Sequence, residues 1–302
     1  MAEILVALAA VLWALLGIFS VQIHKFGFSS TEISALRWIF AAVIMFVLVL
    51  VTDRKKLKIK LKDVWMFALA GIFSYMLTSI FYFISMGLTS AAVANVLMYA
   101  SPVWVLIMSR IFFNEKFNAI KLISIFGTVG GCVLVSGLMS KGSGVFNAVG
   151  IAFGVMSGVS YSAYSIIGKA LLTKYSNATL TAYACIFAGI ASVFTINPQS
   201  IINIISAAPK SLIYIIAMAT LSTAVPYMLY TVGLSSTTAS RAAVIACIEP
   251  VCSTLISVFV LKENVVLSQY VGIAVILLMI LILQFSKDDG GDVSPETCRK
   301  SA

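Results

Sequence analysis

The chain is written twice. Phe28-Ser29 and Ile39-Phe40-Ala41 return as Tyr175-Ser176 and Ile186-Phe187-Ala188, 147 positions later. Gly87-Leu88-Thr89-Ser90 returns as Gly233-Leu234-Ser235-Ser236, 146 positions later. Pro102 and Glu115 return as Pro250 and Glu263, 148 positions later and with the same 13-residue separation. Each match is weak, but three at nearly one offset are far harder to obtain by chance than one. Each copy holds five apolar stretches. A second copy that follows an odd number of spans enters a bilayer from the opposite side, so the expected architecture is an inverted repeat.

The bilayer enters through composition. Of 302 residues, 61% are hydrophobic and 10% charged, whereas a soluble domain carries about 25% charged residues. Packing in water cannot hide that much apolar surface. A span takes about 20 mainly apolar residues. Ten are expected, at 4–23, 33–52, 64–86, 91–113, 119–138, 148–172, 177–196, 210–232, 238–261 and 267–286. Backbone groups in lipid must satisfy one another, which makes these spans helices, and no run of short alternating strands suggests a barrel. The expectation is an all-α membrane protein with ten transmembrane helices as two inverted five-helix repeats. Residues 1–138 form the first repeat, 139–147 a linker, 148–286 the second repeat and 287–302 a polar, disordered tail. The first span has no basic leader and no small-residue cleavage site after it, and reads as retained.

Lysine and arginine set the orientation. With the N-terminus in the cytoplasm, fifteen fall inside (Arg54, Lys55, Lys56, Lys58, Lys60, Lys62, Arg110, Lys116, Lys121, Lys169, Lys174, Lys262, Lys287, Arg299, Lys300) and five outside (Lys25, Arg37, Lys141, Lys210, Arg241), which accounts for all 20. The positive-inside rule therefore places both termini in the cytoplasm of a multi-pass protein of the cytoplasmic membrane. The net charge of +9 needs no nucleic acid to explain it. Its densest cluster, Arg54 to Lys62, is a juxtamembrane loop that can touch anionic lipid.

Several residues stand out inside the spans. Glu249 is the only acidic residue deep in one. Such a carboxyl costs several kcal/mol in lipid, about 2.5 to 3.5 on insertion scales, and needs a partner or a wet cavity. It reads either as a proton- or amine-binding group or as a structural carboxyl serving amides freed by Pro250. Pro102, Pro226 and Pro250 each remove an amide donor and favour a kink. Matching kinks in inverted halves point to a central site, although a bend without ligand contact reads equally well. Asn95 and Tyr99 share a helix face, as a cavity stripe or an interhelical hydrogen bond. Trp13, Tyr82, Tyr164, Tyr227 and Tyr230 are candidate cavity aromatics for amphipathic, aromatic or cationic solutes, with packing or interfacial belts as the plainer reading. Arg37 reads as a structural anchor near a span end, and Arg241 as a snorkelling residue near the outer end of its span or an entrance for a carboxylate. Glu115 with Lys116 and Glu263 with Lys262 read as loop-capping pairs on the cytoplasmic side, or as gate contacts. Gly150, Gly154 and Gly158 lie on one helix face and permit close contact, internal or at a dimer interface. Cys132, Cys185, Cys247 and Cys252 lie in spans without metal-ligand spacing.

These residues resemble the drug/metabolite transporter superfamily, and within it the EamA-type ten-helix permeases. The resemblance covers about 4–286. It rests on Trp13-Ala14-Leu15-Leu16-Gly17, on Arg37 in Ser34-Ala35-Leu36-Arg37-Trp38, on the Gly-Leu-Thr-Ser turn, on Pro102 and Glu115, and on Glu249-Pro250 with Glu263. It implies transport of small metabolites, most often export of amino acids or related compounds, by alternating access. The sequence has no Walker-type phosphate loop, no HExxH and no Gly-x-Ser-x-Gly, so a secondary transporter driven by a gradient or by the substrate itself is expected, with no cofactor, no metal and no catalytic residues. Spans one, three, four, six, eight and nine are expected to line the cavity. The partners expected are a small-molecule substrate and membrane lipid, with monomer or homodimer open. The sequence departs from symmetry at the site: Ser101-Pro102 stands opposite Glu249-Pro250, and Arg37 opposite Ala184. Uptake or exchange of a nucleotide- or sugar-related metabolite would need a basic cavity. An intramembrane enzyme would need a second carboxylate or metal ligands within spans, and a scaffold without flux would not need a repeat.

Overall fold

The structure is a computed structural model that describes all residues except 117, 137, 139–146, 261, 263–265 and 286–302. Glu263, the Ser140–Gly144 connector and the polar tail thus lie outside the described residues. Among the described residues the regular structure is helical, in this order: α1 Ala2–His24, α2 Ser30–Thr52, α3 Leu61–Leu88, α4 Ala91–Phe113, α5 Ala119–Val135, α6 Ala148–Leu172, α7 Asn177–Val193, α8 Pro198–Ala207, α9 Ser211–Ser235, α10 Ala239–Phe259 and α11 Leu267–Gln284.

Eight of these helices are long and apolar enough to cross a membrane. The exceptions among the expected ten are α5 and α7, each of 17 residues. At 1.5 Å per residue they reach about 26 Å, just short of a hydrocarbon core of about 30 Å. Helix α7 turns by 99° into α8, a helix in a segment expected to be loop. Asn197 accepts the amides of Gln199 and Ser200 and Pro198 occupies the first turn, so the local sequence both stops α7 and starts α8.

The repeated dipeptides have a local cause. Ser29 and Ser176 are the N-caps of α2 and α7: Ser29 accepts the amide of Glu32 at 3.3 Å and Ser176 that of Thr179 at 3.2 Å. Ser90, from the repeated turn, caps α4 through the amide of Val93 at 3.2 Å. Two further correspondences concern helix irregularity. Helices α3 and α9 both pass through a π-helical stretch, Leu69–Leu77 and Thr220–Ala224. Helices α4 and α10 both break, at Ala100 and Cys247, just before Pro102 and Pro250. A π-helical turn redirects side chains at a functional position without ending a helix.

Small residues seat the helices against one another. A Cβ on Gly150 would lie 2.7 Å from Thr89, one on Gly154 2.4 Å from Leu97, and one on Gly158 2.6 Å from the Leu97 carbonyl. The glycine face of α6 is therefore spent on the end of α3 and on α4 within the chain. It does not face outward as a dimer contact. Gly71 and Gly189 bring α3 and α2 onto α7, Gly233 brings α9 onto α1, and Gly131 and Gly272 bring α5 and α11 together. Without a hydrophobic drive between helices in lipid, such close approaches supply the packing energy.

Sidedness corrects one expectation. Arg241, expected near the outer end, forms an ion pair with Glu3 and donates to Gln284 Oε1 at 3.0 Å. It lies at the end of the bundle that holds the N-terminus. The reason is alternation: α10, as the ninth of the ten expected spans, starts from the same side as α1, so Arg241 belongs with the N-terminus and Lys262, after α10, with the opposite end. One residue moves each way, so the expected division is still fifteen to five, with Arg241 and Lys262 exchanged.

Candidate functional site

One end of the bundle is open. A cavity of about 730 Å³ is bounded by the C-terminal ends of α1, α5 and α10, the C-terminal half of α3, and the N-terminal parts of α2, α4 and α11. His24, Ser30, Ser90, Ser136, Ser257 and Gln269 stand at its rim, remote from the N-terminus. Small-molecule sites span about 300–1,000 Å³, so the volume suits a metabolite.

A belt of polar contacts crosses the wall. Arg37 Nη2 on α2 points to Ser79 Oγ on α3 at 3.5 Å. Three residues on, the Tyr82 hydroxyl donates to Asn95 Oδ1 on α4 at 2.9 Å. Four residues beyond Asn95, the Tyr99 hydroxyl donates to Glu249 Oε1 on α10 at 3.1 Å. Residues three or four apart share a helix face, so the belt links four helices. The broken helices make its last contact: Tyr99 immediately precedes the break in α4 and Glu249 follows the break in α10.

Beneath the belt lies a layer of aromatic rings. Trp38 stacks on Tyr75 with centroids 4.5 Å apart, and Tyr75 meets Tyr227 at 4.2 Å and Tyr164 at 4.7 Å. Trp13 contacts Tyr227 at 5.0 Å and Tyr230 at 5.4 Å. Trp13, Trp38, Tyr75 and Tyr227 line the cavity. Tyr164 and Tyr230 are buried behind them, with the Tyr230 hydroxyl 2.7 Å from Ser165 Oγ. These rings close the bundle at mid-depth.

The N-terminal end is sealed by polar clamps. Glu115 pairs with Lys121 and accepts from Ser240 at the start of α10. Burial raises the Glu115 carboxyl, but the Lys121 ammonium and the Ser240 and Ser109 hydroxyls outweigh it and hold the group below the usual carboxylate range. Glu3, Arg241 and Gln284 tie α1, α10 and α11. Lys169 donates to the carbonyls of Leu234 at 2.9 Å and Thr237 at 2.6 Å, closing the turn between α9 and α10. The stretch they surround, Ala239–Ala246, is buried at every residue. It plugs this end.

The structure thus brings Trp13, Tyr82, Asn95, Tyr99, Tyr227, Glu249 and Pro250 to one cavity and sets Tyr164 and Tyr230 behind it. Pro102 and Pro226 shape α4 and α9 outside the lining. Helices α2, α5 and α11 also contribute to the wall, beyond the six spans expected. Sequence reasoning missed Arg37 and Trp38 as wall residues. A signal was present: Ser30, Ser34 and Arg37 on α2, Tyr75, Ser79 and Tyr82 on α3, and Glu249, Ser253 and Ser257 on α10 are polar or amphipathic stripes at helical spacing. In a membrane helix a polar stripe marks the wet face rather than the outside. Among the described residues, no group of histidine, cysteine and acidic side chains could hold a metal ion.

These features define a class: a helical membrane protein of many spans, with a solute-sized cavity of aromatic and polar lining, open at one end and plugged at the other. The chain belongs to the EamA-like transporter family, whose model matches it twice, over residues 1–137 and 148–285. An uncharacterized transporter of Archaeoglobus fulgidus is 30% identical over 261 residues, covering 84% of this chain and 88% of the relative. An uncharacterized transporter of Clostridium kluyveri is 23% identical over 253 residues, 82% of this chain and 81% of the relative. One solved crystal structure has a TM-score of 0.79 at 16% identity, covering 100% of this chain and 99% of its own, and shows the fold alone. The protein is a membrane transporter.

Proposed function

We propose that this transporter exports amino acids or related small metabolites across the cytoplasmic membrane, driven by a gradient and working by alternating access. The single observation that carries the reading is the cavity with one open end, a carboxylate on its wall and a plug at the other end. Alternating access requires two arrangements in which either end can be the closed one. The close helix pairs support an inverted repeat: α2 with α7 and α5 with α11 each exchange into themselves when the copies swap, and α3 with α6 exchanges into α9 with α1. On this reading residues 1–138 and 148–286 are the two rocking units, α5 and the α7–α8 pair complete ten spans, and both termini lie in the cytoplasm. The cavity then faces outward.

Glu249 is the group on which a proton or a substrate amine would sit. Tyr99 holds one of its oxygens, which orients the carboxyl without neutralising it. The aromatic layer below would contact the apolar part of a solute. The test is survival of expressing bacteria on toxic amino acids and analogues, comparing the wild type with Glu249→Gln at equal membrane abundance. Protection by the wild type that the variant loses is the expected result. Sensitisation by the wild type would reverse the direction to uptake, and no effect across the panel would remove the amino-compound reading.

A further inference from the structure

Resting on that transport reading, we infer that Arg37 anchors the anionic group of the substrate and that, with Glu249, it makes the cavity a site for zwitterions. Among the described residues that line the cavity, with His24 at the rim, Arg37 is the base and Glu249 the acid within the wall. They come from different helices, α2 and α10, and do not form an ion pair with each other among the described residues. Two opposite charges inside a membrane protein normally pair, because each alone is costly. Here both line one metabolite-sized cavity without forming that pair.

The guanidinium is held but not consumed. Its carbon sits 4.5 Å from the Trp38 ring centroid, a cation–π contact that fixes the plane of the fork. Its hydrogen bond to Ser79 is long, at 3.5 Å, and Nε, itself buried, has no partner among the described residues. An arginine presents five donors in a rigid fork that matches a carboxylate with two parallel bonds. The remaining donors of Arg37 are thus the strongest unfilled anion-binding capacity in the wall. On the same cavity wall, the Glu249 carboxylate has one bond from Tyr99 and can accept the donors of an ammonium. A solute carrying both groups satisfies both charges at once. One that lacks either leaves a charge in the cavity without its complement. The same geometry disfavours a doubly anionic phosphate ester, which Glu249 would repel.

The experiment is binding to the purified full chain in detergent, read as thermal stabilisation and titration calorimetry. The probes are the twenty standard amino acids, followed by the decarboxylated amine and the N-acetylated acid matched to the best of them. The wild type should bind the amino acid most tightly. Arg37→Gln should weaken it roughly 10- to 100-fold, the range of charge-assisted hydrogen bonds, while leaving affinity for the matched amine within a few-fold. Glu249→Gln should do the converse, sparing the N-acetylated acid. Arg37→Lys keeps the charge without the fork and should retain part of the affinity, so it carries the test if Arg37→Gln does not fold. Unchanged amino-acid affinity in Arg37→Gln, or an equal loss for amine and amino acid, would overturn the role of Arg37 and leave the transport reading standing. No binding of any amino acid by the wild type would overturn both.

Discussion

Replacing Glu115 by glutamine should loosen the plugged end of the bundle. Glu115 is 7% exposed, Lys121 6% and Ser240 0%, so the clamp between the α4–α5 turn and α10 is a buried ion pair with a hydroxyl bound to it. Removing one member of a buried pair costs about 3–5 kcal/mol because the other charge is left uncompensated. Lys121 stands near a helix end and can extend part of its chain toward water, so the lower figure, about 3 kcal/mol, is the appropriate one. Each 1.4 kcal/mol is tenfold in an equilibrium, so the arrangement with this end closed should lose about 100-fold of its advantage. The assay is labelling of Ala243→Cys by a membrane-impermeant maleimide, in a chain whose five native cysteines are replaced. Ala243 is 6% exposed within the plug. Labelling should accelerate from the N-terminal side in Glu115→Gln and partly revert when Lys121→Met is added, because the double change removes both charges. Equal labelling with and without the clamp would show that the aromatic layer and apolar packing alone close this end, and would refute the reasoning.

Four other expectations follow from single contacts. Gly158→Ala places a Cβ 2.6 Å from the Leu97 carbonyl, which is backbone and cannot rotate away. It should lower thermal stability by about 1–3 kcal/mol, whereas Gly130→Ala, which meets nothing within 4 Å, should be silent in the same melt. Tyr99→Phe removes the donor to Glu249 and should slow transport about tenfold, a charge-assisted bond being worth about 1.5–3 kcal/mol; an unchanged rate would mean that the carboxyl is oriented by other contacts. The Glu115 clamp has a defined pH signature. Its carboxyl is held below the usual range, so its stabilisation is present above the unfolded value of about 4.3 and is lost as pH falls through the depressed folded value. Melting temperatures should therefore show an acid-side drop in the wild type that Glu115→Gln lacks, with no difference in slope between about pH 6 and 8. Finally, Arg241→Met should destabilise the bundle more than Glu3→Gln. Arg241 is 7% exposed and serves both Glu3 and Gln284, and the check is the difference in melting temperature between the two variants.

Much of the architecture was legible because lipid imposes one-dimensional rules. Eight of the ten expected spans are helices long and apolar enough to cross a membrane, and the other two are the shorter helices α5 and α7, since an apolar run in a bilayer has no alternative to intrahelical hydrogen bonds. The repeated Ser29 and Ser176 could be read as a duplication because a helix cap is a local device that survives in sequence. The prolines announced the breaks in α4 and α10 for the same reason.

What tertiary structure decided is which side chains meet. Sequence position places Arg37 near the start of α2, where a structural anchor is the economical reading; only the packing of α2 against α3 and α7 turns that residue into the cavity wall. Asn95 and Tyr99 were visible as a stripe, but their partners Tyr82 and Glu249 lie 13 and 150 positions away. The glycines of α6 could have faced a second copy or a neighbouring helix, and the seat on Leu97 settles which. Hydropathy and caps depend on neighbours along the chain and are written in it directly. Cavities, clamps and the sharing of a charge between helices depend on the crossing of helices far apart in sequence, and those crossings exist only once the bundle has packed.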